Sequence, residues 1–444
     1  MNEKIYFISL GCDKNRVDAE MMCHRLESAG YGITADLPEA DAAIVNTCGF
    51  ISSAKEEAIE NIFDMVREKE AGNIRALIVT GCLSERNGEE MAELIPEIDA
   101  IAGIGQNGDI VSIVRDALEG KRCPFVRDPL AMPLEGERLL STPAHYAYLK
   151  IADGCDNHCT YCAIPGIRGK YRSRSVENIL KEARKLVSYG VRELILVAQD
   201  TTAYGSDLKN GETLASLLRE LAKIDGIWKI RILYAYPERV TDGLIDLMAS
   251  EEKIAKYIDM PLQHADPAVL KRMGRFGSGE ENLELIRKLR ERIPGVTVRS
   301  TFIAGFPGET REQFNRLLDF VREAKLDRAG CFAYSEEEGT PAARMRKQNG
   351  ERTKQRRTGD FYRLQSAVTE ERQIGRIGTR FEAICDGYSE ERGMFLLRGE
   401  SDTPEDDCVC LVPLSEDLLP GEVYVLDCVD TDGPDLLCEL AVID

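Results

Sequence analysis

A cysteine-rich loop in the first half of the chain reads Gly154-Cys155-Asp156-Asn157-His158-Cys159-Thr160-Tyr161-Cys162. It directly follows Ala147–Ile151, an apolar run with the length of a buried strand. The C-x3-C-x2-C spacing is short enough for three thiolates to wrap one face of a cubane iron–sulfur cluster. Because barrel folds carry their chemistry at the carboxyl ends of their strands, the loop predicts a reactive site at such an edge.

The thiols Cys155, Cys159 and Cys162 favour iron over other metals. A 4Fe–4S cluster has four irons, so three cysteine ligands leave one iron free to bind a substrate. Zinc is the alternative, although zinc sites favour paired C-x2-C spacings. We expect His158 to be a loop residue and not a ligand.

Strands and helices alternate after the loop. Six strand-like runs separated by helical stretches favour an open or partial (β/α)6 barrel. They are predicted at Ala147–Ile151, Glu193–Ala198, Lys229–Tyr234, Tyr257–Asp259, Thr297–Ile303 and Arg328–Tyr334. Residues 344–374 have a helical pattern, with nine Lys/Arg and four acidic residues.

The flanking regions differ in class from the barrel. In residues 1–120, short apolar runs alternate with helical patterns, which indicates a parallel-sheet α/β domain. From Phe381 onward, short alternating strands with Gly and Pro turns predict a small all-β barrel. The fold class is therefore α/β with a C-terminal β-barrel. The expected boundaries are 1–122 for the first domain, 123–140 for a linker, 141–372 for the barrel and 375–444 for the last domain.

The net charge of −20 is unevenly spread. Residues 375–444 hold 4 Lys/Arg and 18 Asp/Glu, a charge of −14, so the first 374 residues carry −6. An acidic domain repels nucleic-acid phosphates and attracts basic partners, although it can also merely aid solubility. The chain has no apolar run of about 18 residues and no secretory signal at its start, so we expect a cytoplasmic protein without a membrane span.

Three further cysteines occupy equivalent places in the N-terminal domain. Cys12, Cys48 and Cys82 each lie two residues past a predicted strand. The carboxyl ends of parallel strands share one edge, so these thiols are expected to converge there. The alternative is three unrelated loop cysteines. Convergence predicts a second three-cysteine cluster with a free iron, which is suited to carrying sulfur for transfer.

Other strand ends are candidates for a cofactor pocket. Gln199 and Asp200 end the second barrel strand, and Ser300 lies on the fifth. Gly305 and Gly308 form a turn into a helix, which allows close backbone approach to a nucleoside. A simple strand–helix connection explains the glycines equally well.

The cysteine loop resembles that of the radical S-adenosylmethionine superfamily. The resemblance implies that the open iron binds S-adenosyl-L-methionine and that electron transfer produces a 5′-deoxyadenosyl radical. The cofactor then carries the difficult chemistry, and the protein positions it and excludes water.

Several motifs together resemble the methylthiotransferase family over nearly the whole chain. They are Ser9-Leu10-Gly11-Cys12-Asp13-Lys14-Asn15, Asn46-Thr47-Cys48-Gly49-Phe50-Ile51, Thr80-Gly81-Cys82-Leu83, Gly154–Cys159 and Ile164–Arg174. Two stretches are similar to the RimO type, which acts on an aspartate of a ribosomal protein: Gly11–Asn15 and Met260-Pro261-Leu262-Gln263-His264-Ala265. The chain departs from that type at Asp13, where Pro is usual, and at Arg16, where Leu is usual.

The resemblance implies a function. The enzyme would methylthiolate the β-carbon of an aspartate in a small-subunit ribosomal protein of the S-twelve type. It would use two S-adenosylmethionines, two 4Fe–4S clusters, sulfur from the auxiliary cluster on Cys12, Cys48 and Cys82, and flavodoxin or ferredoxin as reductant. The last domain would be a TRAM domain.

Candidate substrate or pocket contacts are Gln263 and His264, for which a core role is equally open. Arg168, Arg172 and Arg174 are candidates to hold the substrate carboxylate, or else form a solvated basic loop. Two other functions remain open: a tRNA adenosine methylthiotransferase, which the acidic last domain disfavours, and a non-catalytic iron–sulfur electron carrier.

Overall fold

A computed structural model of the chain describes residues 3–405, 407–413 and 418–442. Its elements form an N-terminal α/β unit, a partial barrel of parallel strands and a small closed β-barrel. The α/β fold class with a C-terminal all-β barrel is thereby confirmed. No helix within these ranges combines the length and apolar character that crossing a bilayer requires.

The N-terminal unit is a parallel sheet covered by helices on both faces. Its elements are β1 (Lys4–Ser9), α1 (Asp13–Ser28), β2 (Gly32–Thr34), β3 (Ala42–Thr47), α2 (Ser52–Glu70), β4 (Ala76–Gly81), α3 (Cys82–Leu94), β5 (Ala100–Ile101) and α4 (Ile110–Leu118). The strand order is β2-β1-β3-β4-β5. One apolar core forms beneath α2 and α3, and another beneath α1 and α4. Because both faces are covered, β3 and β4 are buried along their whole length.

The central unit is an open sheet of six parallel strands in the order β13-β12-β11-β10-β9-β6. Its elements are β6 (Tyr146–Lys150), β7 (Ala152–Asp153), α5 (Ile164–Arg168), β8 (Arg172–Ser173), α6 (Val176–Ser188), β9 (Glu193–Val197), α7 (Leu214–Ala222), β10 (Lys229–Ile232), α8 (Asp242–Ser250), β11 (Ile254–Asp259), α9 (Pro267–Met273), α10 (Gly279–Arg292), β12 (Thr297–Ala304), α11 (Arg311–Ala324), β13 (Arg328–Ala333) and α12 (Glu351–Ile374). A continuous core joins the strands to the outer helices.

The C-terminal unit is a closed barrel with the strand order β14-β15-β16-β18-β17. Its strands are β14 (Arg380–Ser389), β15 (Met394–Gly399), β16 (Cys410–Pro413), β17 (Val423–Asp432) and β18 (Asp435–Leu440). Closure satisfies strand edges that would otherwise be open to pairing with other chains.

Two details differ from the sequence predictions. The short strand β2 was not predicted, because its three half-buried residues carry too little pattern. The helix predicted over 344–374 is wrong for 344–350, since α12 begins only at Glu351, after the extended residue Gly350. The amide of Gln348 instead donates to the carbonyls of Ala342 and Met345, which holds the segment in a turn.

The C-terminal barrel packs against the amino ends of the parallel strands. Glu193, the first residue of β9, accepts hydrogen bonds from Nε of Arg231 at 2.8 Å and from Nη1 of Arg398 at 2.7 Å. All three side chains are buried. The carboxyl ends of β6 and β9, on the other side, carry the cysteine loop and Gln199.

Candidate active site

The cysteine loop lies between β7 and α5, at the carboxyl edge of the parallel strands. Cys159 is buried, whereas Cys155 and Cys162 are half-buried. Burial raises the pKa of the Cys162 thiol to about 12, with a further contribution from the nearby Cys159 and Cys155 side chains. The structure therefore brings together the three thiols of the C-x3-C-x2-C loop.

A tyrosine that sequence reasoning missed contacts this loop. The hydroxyl of Tyr236 lies 2.8 Å from Sγ of Cys159, and the guanidinium of Arg275 lies 3.8 Å from the centre of the Tyr236 ring. Burial raises the pKa of Tyr236 far above its usual value, so the hydroxyl keeps its proton and can donate a hydrogen bond to the sulfur. The available signal was its position just past β10, at the same edge as the loop.

Gln199 and Asp200 lie at the end of β9, beside the cysteine loop. Asp200 accepts hydrogen bonds from Asn157 at 2.9 Å and from Arg239 at 2.5 Å, which ties the loop to the strand end. Gln199 donates to Asp153 at 3.2 Å, and its buried Oε1 has no hydrogen-bond partner within the described residues. That oxygen is an acceptor available to a cofactor donor.

The other predicted cofactor residues have partners within the fold. Ser300 donates to the carbonyl of Met260 at 2.8 Å. Gly305 adopts a φ of +79°, and a Cβ there would lie 2.6 Å from Cγ of Lys354 on α12. Gly308 donates its backbone N–H to the carbonyl of Lys347 at 2.8 Å. These contacts account for the residues structurally, and their cofactor role stays a prediction.

Gln263 and His264 lie in the segment between β11 and α9. Gln263 has a φ of +69°, and its backbone pairs with Thr301 and Ile303. The fully buried His264 accepts a hydrogen bond at Nδ1 from the backbone N–H of Asp266 at 2.9 Å. Burial lowers the pKa of His264 to about 3, so the ring is neutral at pH 7. These contacts are those of core residues, and a role in binding substrate stays a prediction.

The second set of cysteines meets at the carboxyl edge of the N-terminal sheet. Cys12 precedes α1, Cys48 follows β3 and Cys82 begins α3. Burial raises the pKa of Cys82 to about 12, with further contributions from Cys12 and Cys48. Gly11, at a φ of +90°, packs so tightly that a Cβ would lie 3.0 Å from Sγ of Cys48. The three thiols thus lie together, as the strand pattern predicts.

Arg168 connects the two cysteine sites. It ends α5, just past the first cysteine loop, and its Nη2 lies 3.5 Å from Sγ of Cys82. Its Nη1 lies 2.9 Å from carboxylate oxygens of both Asp153 and Asp18. Lys150 pairs with the same two carboxylates. Two cations and two anions thus balance one another in a buried cluster between the N-terminal unit and the barrel.

The hypothesis that the arginines of this segment hold a substrate carboxylate is wrong for Arg168 and Arg174. Arg168 is fully buried among its partners, and Arg174 pairs with Glu135 at 2.5 Å and with Glu182 at 2.7 Å. Arg172 donates to backbone carbonyls of residues 129–132. Their guanidinium groups therefore hold the fold together.

Both cysteine sites have a donor set that fits an iron–sulfur cluster, since three thiols are soft ligands suited to iron. In the part of the chain that the structure describes, no group of three His, Cys, Asp or Glu side chains can hold a single metal ion. A cubane cluster does not require such a group, because each thiolate binds its own iron.

Comparisons with protein families divide the chain in the same way as the fold. The Radical SAM superfamily matches residues 149–321, and Uncharacterized protein family UPF0004 matches residues 4–103. Among solved structures, the radical S-adenosylmethionine methyltransferase TsrM from Kitasatospora setae shares 15% identity, with a TM-score of 0.57 over 77% of this chain and 75% of TsrM. The cobalamin-dependent radical enzyme OxsB shares 15% identity, with a TM-score of 0.51 over 77% of this chain and 54% of OxsB. These two show the fold alone.

Curated relatives match almost the entire chain. The ribosomal protein uS12 methylthiotransferase RimO of Desulforamulus reducens is 48% identical, covering 98% of this chain and 99% of the relative. RimO of Geobacter sulfurreducens is 46% identical, covering 99% and 98%. RimO of Clostridioides difficile is 45% identical, covering 99% and 100%. At this identity and coverage, the chain belongs to the RimO family of radical SAM methylthiotransferases.

Proposed function

We propose that this enzyme transfers a methylthio group to the β-carbon of an aspartate in ribosomal protein uS12. The relatives named above are uS12 methylthiotransferases, and they match this chain over nearly its whole length. The single observation that carries the proposal is the pair of three-cysteine sites linked by Arg168, which would give one molecule a site for radical chemistry and a second site for sulfur.

Six cysteines would hold the two clusters. Cys155, Cys159 and Cys162 would bind the 4Fe–4S cluster of the radical SAM site. The auxiliary cluster would be bound by Cys12, Cys48 and Cys82. When bound, the first cluster supplies the electron that cleaves S-adenosylmethionine, and the second supplies sulfur; a second S-adenosylmethionine provides the methyl group.

The chain's own residues would orient the cofactors and exclude water. The hydroxyl of Tyr236 lies 2.8 Å from Sγ of Cys159 and would donate a hydrogen bond that stabilises a ligating thiolate there. Asp200 fixes the cysteine loop through Asn157. The Oε1 atom of Gln199, which has no hydrogen-bond partner among the described residues, would offer an acceptor to the amino group of S-adenosylmethionine.

The acidic C-terminal unit suits a basic ribosomal substrate. Residues 375–444 carry a charge of −14. Part of this charge is neutralised by arginines outside the unit, since Asp402 pairs with Arg328 and Glu405 pairs with Arg16. The remaining charge would attract uS12 and repel tRNA. With a ribosomal protein as its substrate, the enzyme would act in the cytoplasm.

We infer that the functional units follow the boundaries 1–122, 123–140, 141–372 and 375–444, the last being a TRAM domain. Flavodoxin or ferredoxin would supply the electrons. The five-stranded closed barrel at the C-terminus supports the TRAM assignment.

Intact-mass analysis of ribosomal proteins from cells with and without the enzyme tests the proposal. We expect uS12 alone to gain the mass of one methylthio group, and fragmentation to place it on an aspartate. If label from methyl-labelled S-adenosylmethionine enters tRNA and not uS12, the enzyme is a tRNA adenosine methylthiotransferase. If the reconstituted protein forms no 5′-deoxyadenosine with dithionite, the remaining hypothesis is a non-catalytic iron–sulfur electron carrier. Cys159→Ala is the matched inactive control.

A further inference from the structure

Two segments of this acidic chain are rich in positive charge and free of acids. Residues 267–279 contain Lys271, Arg272 and Arg275 and no Asp or Glu. Residues 339–350 contain Arg344, Arg346 and Lys347 and again no Asp or Glu. The chain as a whole has a net charge of −20, whereas each of these two segments has a positive charge.

Both segments pack directly on the first cysteine loop. The backbone N–H of Thr160, next to Cys159, donates to the carbonyl of Met273 at 2.8 Å. The backbone N–H of Ala342 donates to the carbonyl of Thr160 at 2.9 Å. One loop residue is therefore held from both sides by backbone of the two basic segments.

Four of the cations are exposed. Lys271, Arg344, Arg346 and Lys347, which we call the basic rim, are all solvent-exposed. None of them forms an ion pair within residues 3–405, 407–413 and 418–442. Arg272 and Arg275 are not part of the rim, because Arg272 is only half-exposed and Arg275 is buried against the Tyr236 ring. Phe276 follows them with 80% of its surface exposed and supplies an apolar contact at the same place.

A cavity of about 610 Å³ opens at the second basic segment, and its walls include Thr340 and Pro341 of that segment together with Cys159 and Cys162. The charges of its lining balance, with Arg86 and Arg127 against Glu90 and Glu338. The four rim residues lie outside this lining, so their positive charges add to a lining whose own charges balance. The cavity places two of the predicted cluster ligands close to solvent at the same surface.

We propose that the basic rim is the docking surface for an acidic one-electron carrier protein. The inference rests on the proposed function, which needs an electron at the cluster on Cys155, Cys159 and Cys162. Electron transfer weakens steeply with distance, so a donor has to dock where the cluster approaches the surface. The basic rim lies at that place and has the charge that attracts an acidic partner and orients its approach.

A nucleic acid is the other class of partner that a basic surface attracts. The position of the rim favours an electron carrier instead. Its two segments contact the cysteine loop itself, on the side where Cys159 and Cys162 line the cavity, and Phe276 offers an apolar contact that protein interfaces commonly use.

The test uses the full-length enzyme with reconstituted clusters and reduced flavodoxin as the probe. The variant Arg344→Glu, Arg346→Glu, Lys347→Glu reverses three rim charges. The control variant Lys181→Glu, Arg184→Glu, Arg219→Glu makes the same change of charge at exposed residues of the outer helices α6 and α7. Stopped-flow absorbance follows reduction of the cluster at low and high salt.

We expect the rim variant to be reduced by flavodoxin about tenfold more slowly than the wild type at low salt, and the wild-type rate to fall as salt is added. The control variant should keep at least half of the wild-type rate. Dithionite needs no docking surface and should reduce all three proteins equally, which also shows that their clusters are intact.

Equal flavodoxin rates for the wild type and the rim variant would overturn the docking proposal. Loss of binding to ribosomal RNA in the rim variant, with an unchanged flavodoxin rate, would assign the rim to nucleic acid and overturn it as well. If the wild type with dithionite forms no 5′-deoxyadenosine, the proposed function fails, independently of the docking surface.

Discussion

Nη2 of Arg168 lies 3.5 Å from Sγ of Cys82, so a guanidinium of the barrel contacts a thiol of the N-terminal unit. The same guanidinium pairs with Asp18 of α1 and with Asp153, next to the first cysteine loop. Arg168 therefore helps to hold the two cysteine sites in one relative position, together with Lys150, which pairs with the same two carboxylates.

Replacing Arg168 by Lys is expected to lower the reduction potential of the auxiliary cluster. Lysine keeps the positive charge but lacks the planar guanidinium group, so it cannot contact two carboxylates and the sulfur at the same time. A hydrogen bond to a thiolate stabilises the more negative, reduced cluster. Its loss should lower the potential by on the order of 60 mV, the equivalent of about 1.4 kcal/mol for one electron. A redox titration followed by electron paramagnetic resonance measures the shift.

Arg174→Lys is the control, because Arg174 is buried in the same segment but its guanidinium pairs, among the described residues, with glutamates and a backbone carbonyl and not with a thiol. Its auxiliary cluster should keep the wild-type potential. An unchanged potential in Arg168→Lys with full iron content would show that the contact with Cys82 has no electrostatic role.

Tyr236→Phe is expected to lower the potential of the radical SAM cluster. The substitution removes one O–H···S contact and leaves the ring beneath Arg275 in place. A hydrogen bond worth about 1 kcal/mol corresponds to a shift on the order of 40 mV. The same titration measures it, and Tyr204→Phe, which loses only a bond to the carbonyl of Arg174, should show no shift. Equal potentials in the wild type and Tyr236→Phe would contradict the role assigned to this hydroxyl.

His264 should make the protein sensitive to acid. Its pKa is about 3 in the folded state, against an ordinary value of 6.5, because burial disfavours the charged ring. Below pH 6.5 the His264 ring binds a proton in the unfolded chain but not in the folded chain. The free energy of unfolding therefore falls as the pH drops. Between pH 7 and pH 5 His264 should lower the free energy of unfolding by about 2 kcal/mol.

Thermal unfolding of the wild type and of His264→Gln at pH 7 and pH 5 measures the effect. At pH 7 the variant should have a lower melting temperature than the wild type. Between pH 7 and pH 5, however, its melting temperature should fall by less than that of the wild type. Parallel losses in the two proteins would mean that His264 does not titrate on unfolding.

Glu193→Gln is expected to destabilise the contact between the barrel and the C-terminal unit. The change leaves Arg231 and Arg398 buried without their shared carboxylate. Breaking a buried ion pair in this way costs about 3–5 kcal/mol. Limited proteolysis and the melting temperature report the loss.

The matched control is Glu422→Gln at the same contact. Glu422 pairs with Arg192, but its side chain is 57% exposed, so the change should cost about 1 kcal/mol or less. Similar effects of the two substitutions would show that burial of the Glu193 pair does not matter.

The sequence by itself determined the fold class and the two cysteine sites. The C-x3-C-x2-C loop is a local pattern whose spacing sets the geometry of its thiols. Cys12, Cys48 and Cys82 are far apart in sequence, but each follows a strand, and parallel strands end at one edge. The pattern of apolar residues predicted the ends of the barrel strands to within a few residues of their observed bounds. It failed at β2 and at residues 344–350, where the pattern is short or a turn replaces the helix.

Only the tertiary structure decided which partners the charged and polar side chains have. Nothing local to Arg168 indicates that it meets Asp18 and Cys82, which belong to another unit of the chain. Tyr236 reaches Cys159 only because the barrel brings two strand ends together. A buried guanidinium or hydroxyl needs a partner wherever the chain supplies one, and that choice depends on packing between distant segments rather than on spacing along the sequence.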